Sequence, residues 1–152
     1  MKHLFWPAII VFLIDQAVKY GVIHLLNLPL SGPIEVLPPI LVLKMGWNTG
    51  INFGLFSTQP WVLIGISTVI CVLVLFWILR GPQPKLAKIS AGLLIGGALG
   101  NIVDRIIYGA VADYLNMSCC GINNPFVFNL ADVAIFLGAF GLILWAKEHK
   151  AP

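Results

Sequence analysis

The chain is expected to be an all-α integral membrane protein, a bundle of four transmembrane helices. Three observations lead there. Of 152 residues, 59% are hydrophobic and only 10% charged, with a mean hydropathy of +0.96, well outside the range of soluble domains. Four apolar runs have roughly the length needed to cross a bilayer. The basic residues flank these runs instead of forming a patch, so the net charge of +3 gives no reason to expect nucleic acid as a partner.

The first run, about residues 4–26, follows Met1, Lys2 and His3 and imitates a signal peptide. It is too long for such an h-region, contains Asp15 and Lys19, and is followed by no small-residue cleavage site, so it is expected to stay as the first span. Residues 27–60 are rich in Pro, Gly and Asn and form an extramembrane segment in which Ile40 to Leu43 could be a strand. Residues 61–79 make the cleanest span, free of charge and closed by Arg80. After the turn GPQPKLAK come a third span at 89–107, a second extramembrane segment at 109–127 and a fourth span at 128–145, closed by Lys147, Glu148, His149 and Lys150. The chain reads as a single membrane domain without repeats. Lys2, Arg80, Lys85, Lys88, Lys147 and Lys150 fall on one side and only Lys44 on the other, which places both termini in the cytoplasm and both long segments outside.

Charge inside such helices is costly and points to function. With a rise of about 1.5 Å per residue, Asp15 lies near mid-membrane and Lys19 further out. Asn101, Asp104 and Arg105 lie in the outer third, and Asp132 within a turn of the outer start of its helix. Asp15 and Lys19 share one helix face and read first as a structural ion pair. Gly92, Gly96, Gly100 and Asp104 form a stripe of period four, which lets a neighbouring helix approach and turns Asp104 and Asn101 into the bundle. Arg105 can fork onto a carboxylate or backbone carbonyls.

Asn129 followed three residues later by Asp132 is a helix-capping pattern. A cap alone leaves Asp113, on the same side between two spans, without a reason. Two acids with no His in reach and no evident nucleophile fit activation of water by an aspartyl pair that shares one proton. Asp132 is expected to hold the charge, because the helix N-terminus stabilises it.

In order and spacing, Asp15 with Lys19, WNTGINFG at 47–54, GNIVDR at 100–105, VADY at 111–114 and FNLAD at 128–132 closely resemble the lipoprotein signal peptidases, or signal peptidase II. The resemblance implies an aspartic endopeptidase of the bacterial inner membrane that cuts prolipoproteins before a cysteine already carrying diacylglycerol. By position it implies Asp113 and Asp132 as the catalytic pair. The other site residues implied are Asp15, Lys19, Asn48, Gly50, Asn101, Asp104, Arg105, Asn129 and Ala131. It also implies a small extracytoplasmic β-sheet between the first two helices, cradling substrate, and an active site facing the periplasm. The partners expected are diacylglyceryl-modified prolipoproteins and membrane lipid; a monomer is expected, with no metal and no cofactor. Asn52 and Tyr114 depart from the family pattern at positions read as touching substrate fit. Cys71, Cys119 and Cys120 show neither a zinc-site nor a disulfide pattern.

Two rival classes fit less well. An ion-coupled transporter would need polar groups in the inner half of the membrane, and a scaffold held by ion pairs would leave Asp113 unexplained.

Overall fold

The computed structural model describes residues 1–51, 55–57, 59–118 and 124–145. The readings made for Asn52, for Cys119 and Cys120, and for Lys147 to Lys150 lie outside the described residues. Helix α1 (Lys2–Tyr20) runs on through a π turn, Gly21–Leu25. A short helix α2 (Leu28–Ser31) leads into strands β1 (Ile34–Leu37), β2 (Leu41–Asn48), β3 (Gly50–Ile51) and β4 (Leu55–Ser57). Then follow α3 (Pro60–Leu79), α4 (Lys85–Tyr108), β5 (Val111–Met117) and α5 (Leu130–Trp145). The stretches Lys2–Leu25, Pro60–Leu79 and Lys85–Tyr108 are long and apolar enough to cross a membrane, and Leu130–Trp145 is a shorter apolar helix. Helix α4 starts four residues before the apolar run suggested. Pro84 blocks extension backward, whereas Lys85, Leu86, Ala87 and Lys88 are good helix formers whose charge hides them from a hydropathy reading.

Helix α4 is the centre of the bundle, with α1, α3 and α5 packed around it. Its glycines explain how closely. A Cβ on Gly92 or Gly96 would overlap the carbonyl oxygens of Leu4 or Ala8, and one on Gly100 would lie 2.5 Å from the Asp15 carboxylate. The period-four stripe therefore faces α1, and close backbone approach brings the polar residues of the two helices together. A second contact joins α4 to α5: a Cβ on Gly97 would sit 2.5 Å from the Ala131 carbonyl oxygen, and one on Gly138 would sit 2.6 Å from Ser90 O. Helix α3 buries only Leu63 and Ile78. Its outward residues, among them Val69, Leu73 and Phe76, form the kind of extended apolar surface that belongs in lipid.

One expectation about the sheet needs correction. Its strand order is β1-β2-β5, so a strand that follows the third long helix joins the two strands from the segment between α1 and α3. β2 and β5 run antiparallel, with Gly46 opposite Asp113 and Trp47 opposite Ala112. The segment at 109–127 carries no strand signal in the sequence because Val111 to Tyr114 are all buried. A strand covered on both faces shows no polar–apolar alternation. Gly109, at φ +73°, ends α4 in a left-handed turn that only glycine adopts without strain. That turn lays β5 directly over the end of α4.

Gly97→Ala should destabilise the α4–α5 contact by about 1–3 kcal/mol, the usual range for overpacking, and lower the thermal unfolding midpoint in detergent. A wild-type midpoint would contradict this account of helix contact.

Candidate active site

The sharp helix start at α5 positions Asp132. Asn129 Oδ1 accepts the Asp132 N–H at 2.9 Å, and Asp132 Oδ2 accepts the Asn129 N–H at 3.3 Å. This reciprocal capping box satisfies two N–H groups that helix geometry leaves unpaired. The cap accounts for only part of what Asn129 does. Its Nδ2 donates to Asp113 Oδ1 at 2.6 Å and to Asn101 Oδ1 at 3.3 Å, so one fully buried side chain bonds the Asp113 carboxylate and the Asp132 backbone N–H. Asp132 Oδ1 in turn accepts from Asn101 Nδ2 at 2.9 Å.

Strand β5 positions Asp113. Successive side chains of a strand point to opposite faces. Asp113 thus faces the cavity while Tyr114 packs into the core with Val22 and Leu28. Tyr114 is 2% exposed and does not line the cavity beside the acids, so its expected part in substrate fit is withdrawn. Asn48, across the ladder in β2, donates to Asp113 Oδ2 at 3.0 Å and accepts the Gly50 N–H at 3.0 Å. Burial, reinforced by the Asp132 charge, pushes the Asp113 pKa up to about 7, against the hydrogen bonds from Asn48 and Asn129. The first two disfavour the charged form; the donors favour it.

A layer of buried charge lies behind the pair. Lys19 Nζ is 2.8 Å from Asp15 Oδ2 and 2.7 Å from Asp104 Oδ2, and it donates to Asn101 Oδ1 at 3.1 Å. The far sides of these acids hold backbone. Asp15 Oδ1 accepts the Ala131 N–H at 3.0 Å, next to Asp132. Asp104 Oδ2 accepts the Ala112 N–H at 3.1 Å, next to Asp113. Arg105 reaches two backbone carbonyls, Asn101 O and Gly50 O, each at 3.3 Å, and so ties α4 to the extramembrane strands.

Asp113, Asp132, Asn101 and Arg105 line a cavity of 830 Å³ whose remaining wall is largely apolar, with Ile66 and Ile70 from α3 and Val133 and Phe136 from α5. Among the described residues, no group of three or more His, Cys, Asp or Glu side chains could hold a metal. All eleven residues singled out from the sequence meet in this one network; Gly50 and Ala131 enter it through backbone atoms alone. Gln16 was missed. As a polar residue in an apolar run, between Asp15 and Lys19, it carried a signal of its own.

Residues 7–147 match the family model described as Signal peptidase (SPase) II. The chain belongs to the signal peptidase II family. A lipoprotein signal peptidase of Rhodopseudomonas palustris is 39% identical over 95% of this chain and 93% of its own. Another, from a Methylobacterium strain, is 37% identical over 90% and 85% respectively. A solved bacterial membrane enzyme aligns with a TM-score of 0.79 and 26% identity, covering 96% of this chain and 92% of that one. Together with the three long apolar helices, this likeness indicates a membrane protein. For a signal peptidase II the network above is where chemistry is to be sought.

The two duties of Asn129 can be separated. Asn129→Ser keeps a good N-cap but is too short to reach Asp113, so it should be more stable than Asn129→Ala by about 1 kcal/mol while losing most peptidase turnover. Asn129→Ala should lose both. Thermal unfolding and a cleavage assay on the same preparations check this; full turnover in Asn129→Ser would contradict the bridging role.

Proposed function

We propose that the chain is an intramembrane aspartic endopeptidase that removes signal peptides from diacylglyceryl-modified prolipoproteins, cutting before the lipidated cysteine. The single observation that carries this reading is the Asn129 amide linking Asp113 to the capping box of Asp132 at the edge of an apolar cavity. Family membership supports the substrate class. The enzyme sits in the bacterial inner membrane as a monomer with four spans, Leu130–Trp145 belonging to the fourth. Its termini are cytoplasmic and its sheet and acids face the periplasm.

The proposed chemistry follows from the unequal surroundings of the two acids. Asp132 carries the charge, stabilised by the helix N-terminus, by its capping box and by the Asn101 amide. Asp113, in the drier position, carries the shared proton. A water between them gives a proton to Asp132 as its oxygen attacks the scissile carbonyl, and Asp113 donates its proton to the carbonyl oxygen. The tetrahedral intermediate then collapses: its hydroxyl proton returns to Asp113, and Asp132 passes its proton to the leaving nitrogen. Asn48 and Asn129 hold Asp113 in place throughout, while Asp15, Lys19 and Asp104 fix the backbone on which both acids stand. The apolar wall between α3 and α5 takes up the signal helix and acyl chains, so the lipid anchor need not leave the membrane. Proton donation from Asp113 stops once it ionises, so turnover should fall as pH rises above about 7.

Asp113→Asn and Asp132→Asn should each lower cleavage of a diacylglyceryl-modified prolipoprotein by roughly 100- to 10,000-fold, the usual contribution of general acid–base catalysis. A chelator should have no effect, and wild-type turnover should decline on the alkaline side of neutrality. Retained cleavage in either variant would contradict the pair.

A further inference from the structure

We infer that Gln16 is a positioning residue for this reaction, its amide locking the two buried carboxylates that hold the backbone beside Asp113 and Asp132. The inference rests on the aspartyl-pair reading and adds a residue to it. Gln16 Nε2 lies 3.0 Å from Asp104 Oδ1, 3.3 Å from Asp15 Oδ2 and 3.3 Å from the Gly100 carbonyl oxygen, so its two N–H groups serve three acceptors, one N–H being shared.

Counting donors shows why this amide matters. A Lys ammonium has three N–H groups, and Lys19 uses them on Asp15, Asp104 and Asn101. Asp15 Oδ1 is taken by the Ala131 N–H, while Asp104 Oδ2 receives both Lys19 and the Ala112 N–H. Asp104 Oδ1 is left to Gln16. Asp104 is 1% exposed, so no bulk water can replace that donor, and a buried acceptor without one is costly. Relieving the cost means turning the carboxylate, which breaks its grip on Ala112 and moves Asp113. The same amide contacts Asp15, whose other oxygen holds Ala131 beside Asp132. Gln16 thus couples the two supports, and the Gly100 bond holds it in register between α1 and α4.

The amide must also be neutral. The charged groups facing position 16 are Asp15 and Lys19 on α1 and Asp104, with Arg105 beyond it, on α4; β5 faces this cluster with the Ala112 N–H and the buried Tyr114, and α5 with the Ala131 N–H. Two carboxylates already share one ammonium here, and a third would be unmatched.

The test uses the full-length enzyme in detergent with a diacylglyceryl-modified prolipoprotein. Wild-type cleavage that is lost in Asp113→Asn first secures the underlying reading; failure there overturns both claims. Gln16→Met, which keeps the size and removes the donors, should lower kcat roughly 10- to 100-fold, the scale of a misplaced catalytic group, and leave KM unchanged. Wild-type kcat, or a raised KM at unchanged kcat, would overturn the inference, the second because it marks a substrate contact. Gln16→Glu gives an independent answer if Gln16→Met fails to fold. At acid pH the introduced carboxyl is protonated, nearly isosteric with the amide and able to donate, so activity should approach wild type. It should fall as pH rises through the titration of that group, so the ratio of variant to wild-type activity should drop with pH. A pH profile parallel to that of wild type would overturn the inference.

Discussion

Asp113 and Asp132 are joined through Asn129, whose side-chain amide bonds the Asp113 carboxylate and the Asp132 backbone N–H while its own backbone N–H bonds the Asp132 carboxylate, and the rest of the architecture serves this junction. Around Asp113 and Asp132 the structure gathers Asn48, Asn101 and Asn129, neutral donors that orient carboxylates without quenching them. The full cations are set aside. Lys19 is committed to Asp15 and Asp104, and Arg105 to backbone carbonyls. In the proposed mechanism, a cation placed directly on the pair would favour two charges and abolish the shared proton. Lys19 stays one layer back, on the two carboxylates that hold the Ala112 and Ala131 N–H groups.

The fold supplies the layer that does this through close helix contact. Glycines of α4 let α1 approach on one side and α5 on the other, and the acids of α1 and α4 reach backbone N–H groups of α5 and β5 across those contacts. Four elements, α1, α4, β5 and α5, thus converge on one network. The sheet adds the remaining support, since β2 carries Asn48 opposite the strand that carries Asp113.

Much of this was legible in the sequence, for identifiable reasons. Long apolar runs announce helices because lipid leaves the backbone few alternatives. Asn129 and Asp132 announced a capping box because three-residue spacing is a local property. Asp15 and Lys19 announced an ion pair by i,i+4 spacing, but their reach to Ala131 and Asp104 depends on how α1 docks, which no local pattern encodes. The third strand escaped because Val111 to Tyr114 are buried on both faces and lack alternation. Tyr114 was placed near substrate although strand geometry turns it away from Asp113. Gln16 escaped because its charged neighbours seemed to account for each other, and its partner Asp104 lies 88 positions away.

The central claim is that Asp113 carries a proton near neutral pH because it is buried and sits beside a charged Asp132. The most direct measurement is the titration of the Asp113 carboxyl carbon by site-resolved 13C NMR in the purified enzyme. The account predicts a midpoint near 7 that falls in Asp132→Asn, where the neighbouring charge is gone. A midpoint in the ordinary carboxylate range, or one indifferent to Asp132→Asn, would contradict it.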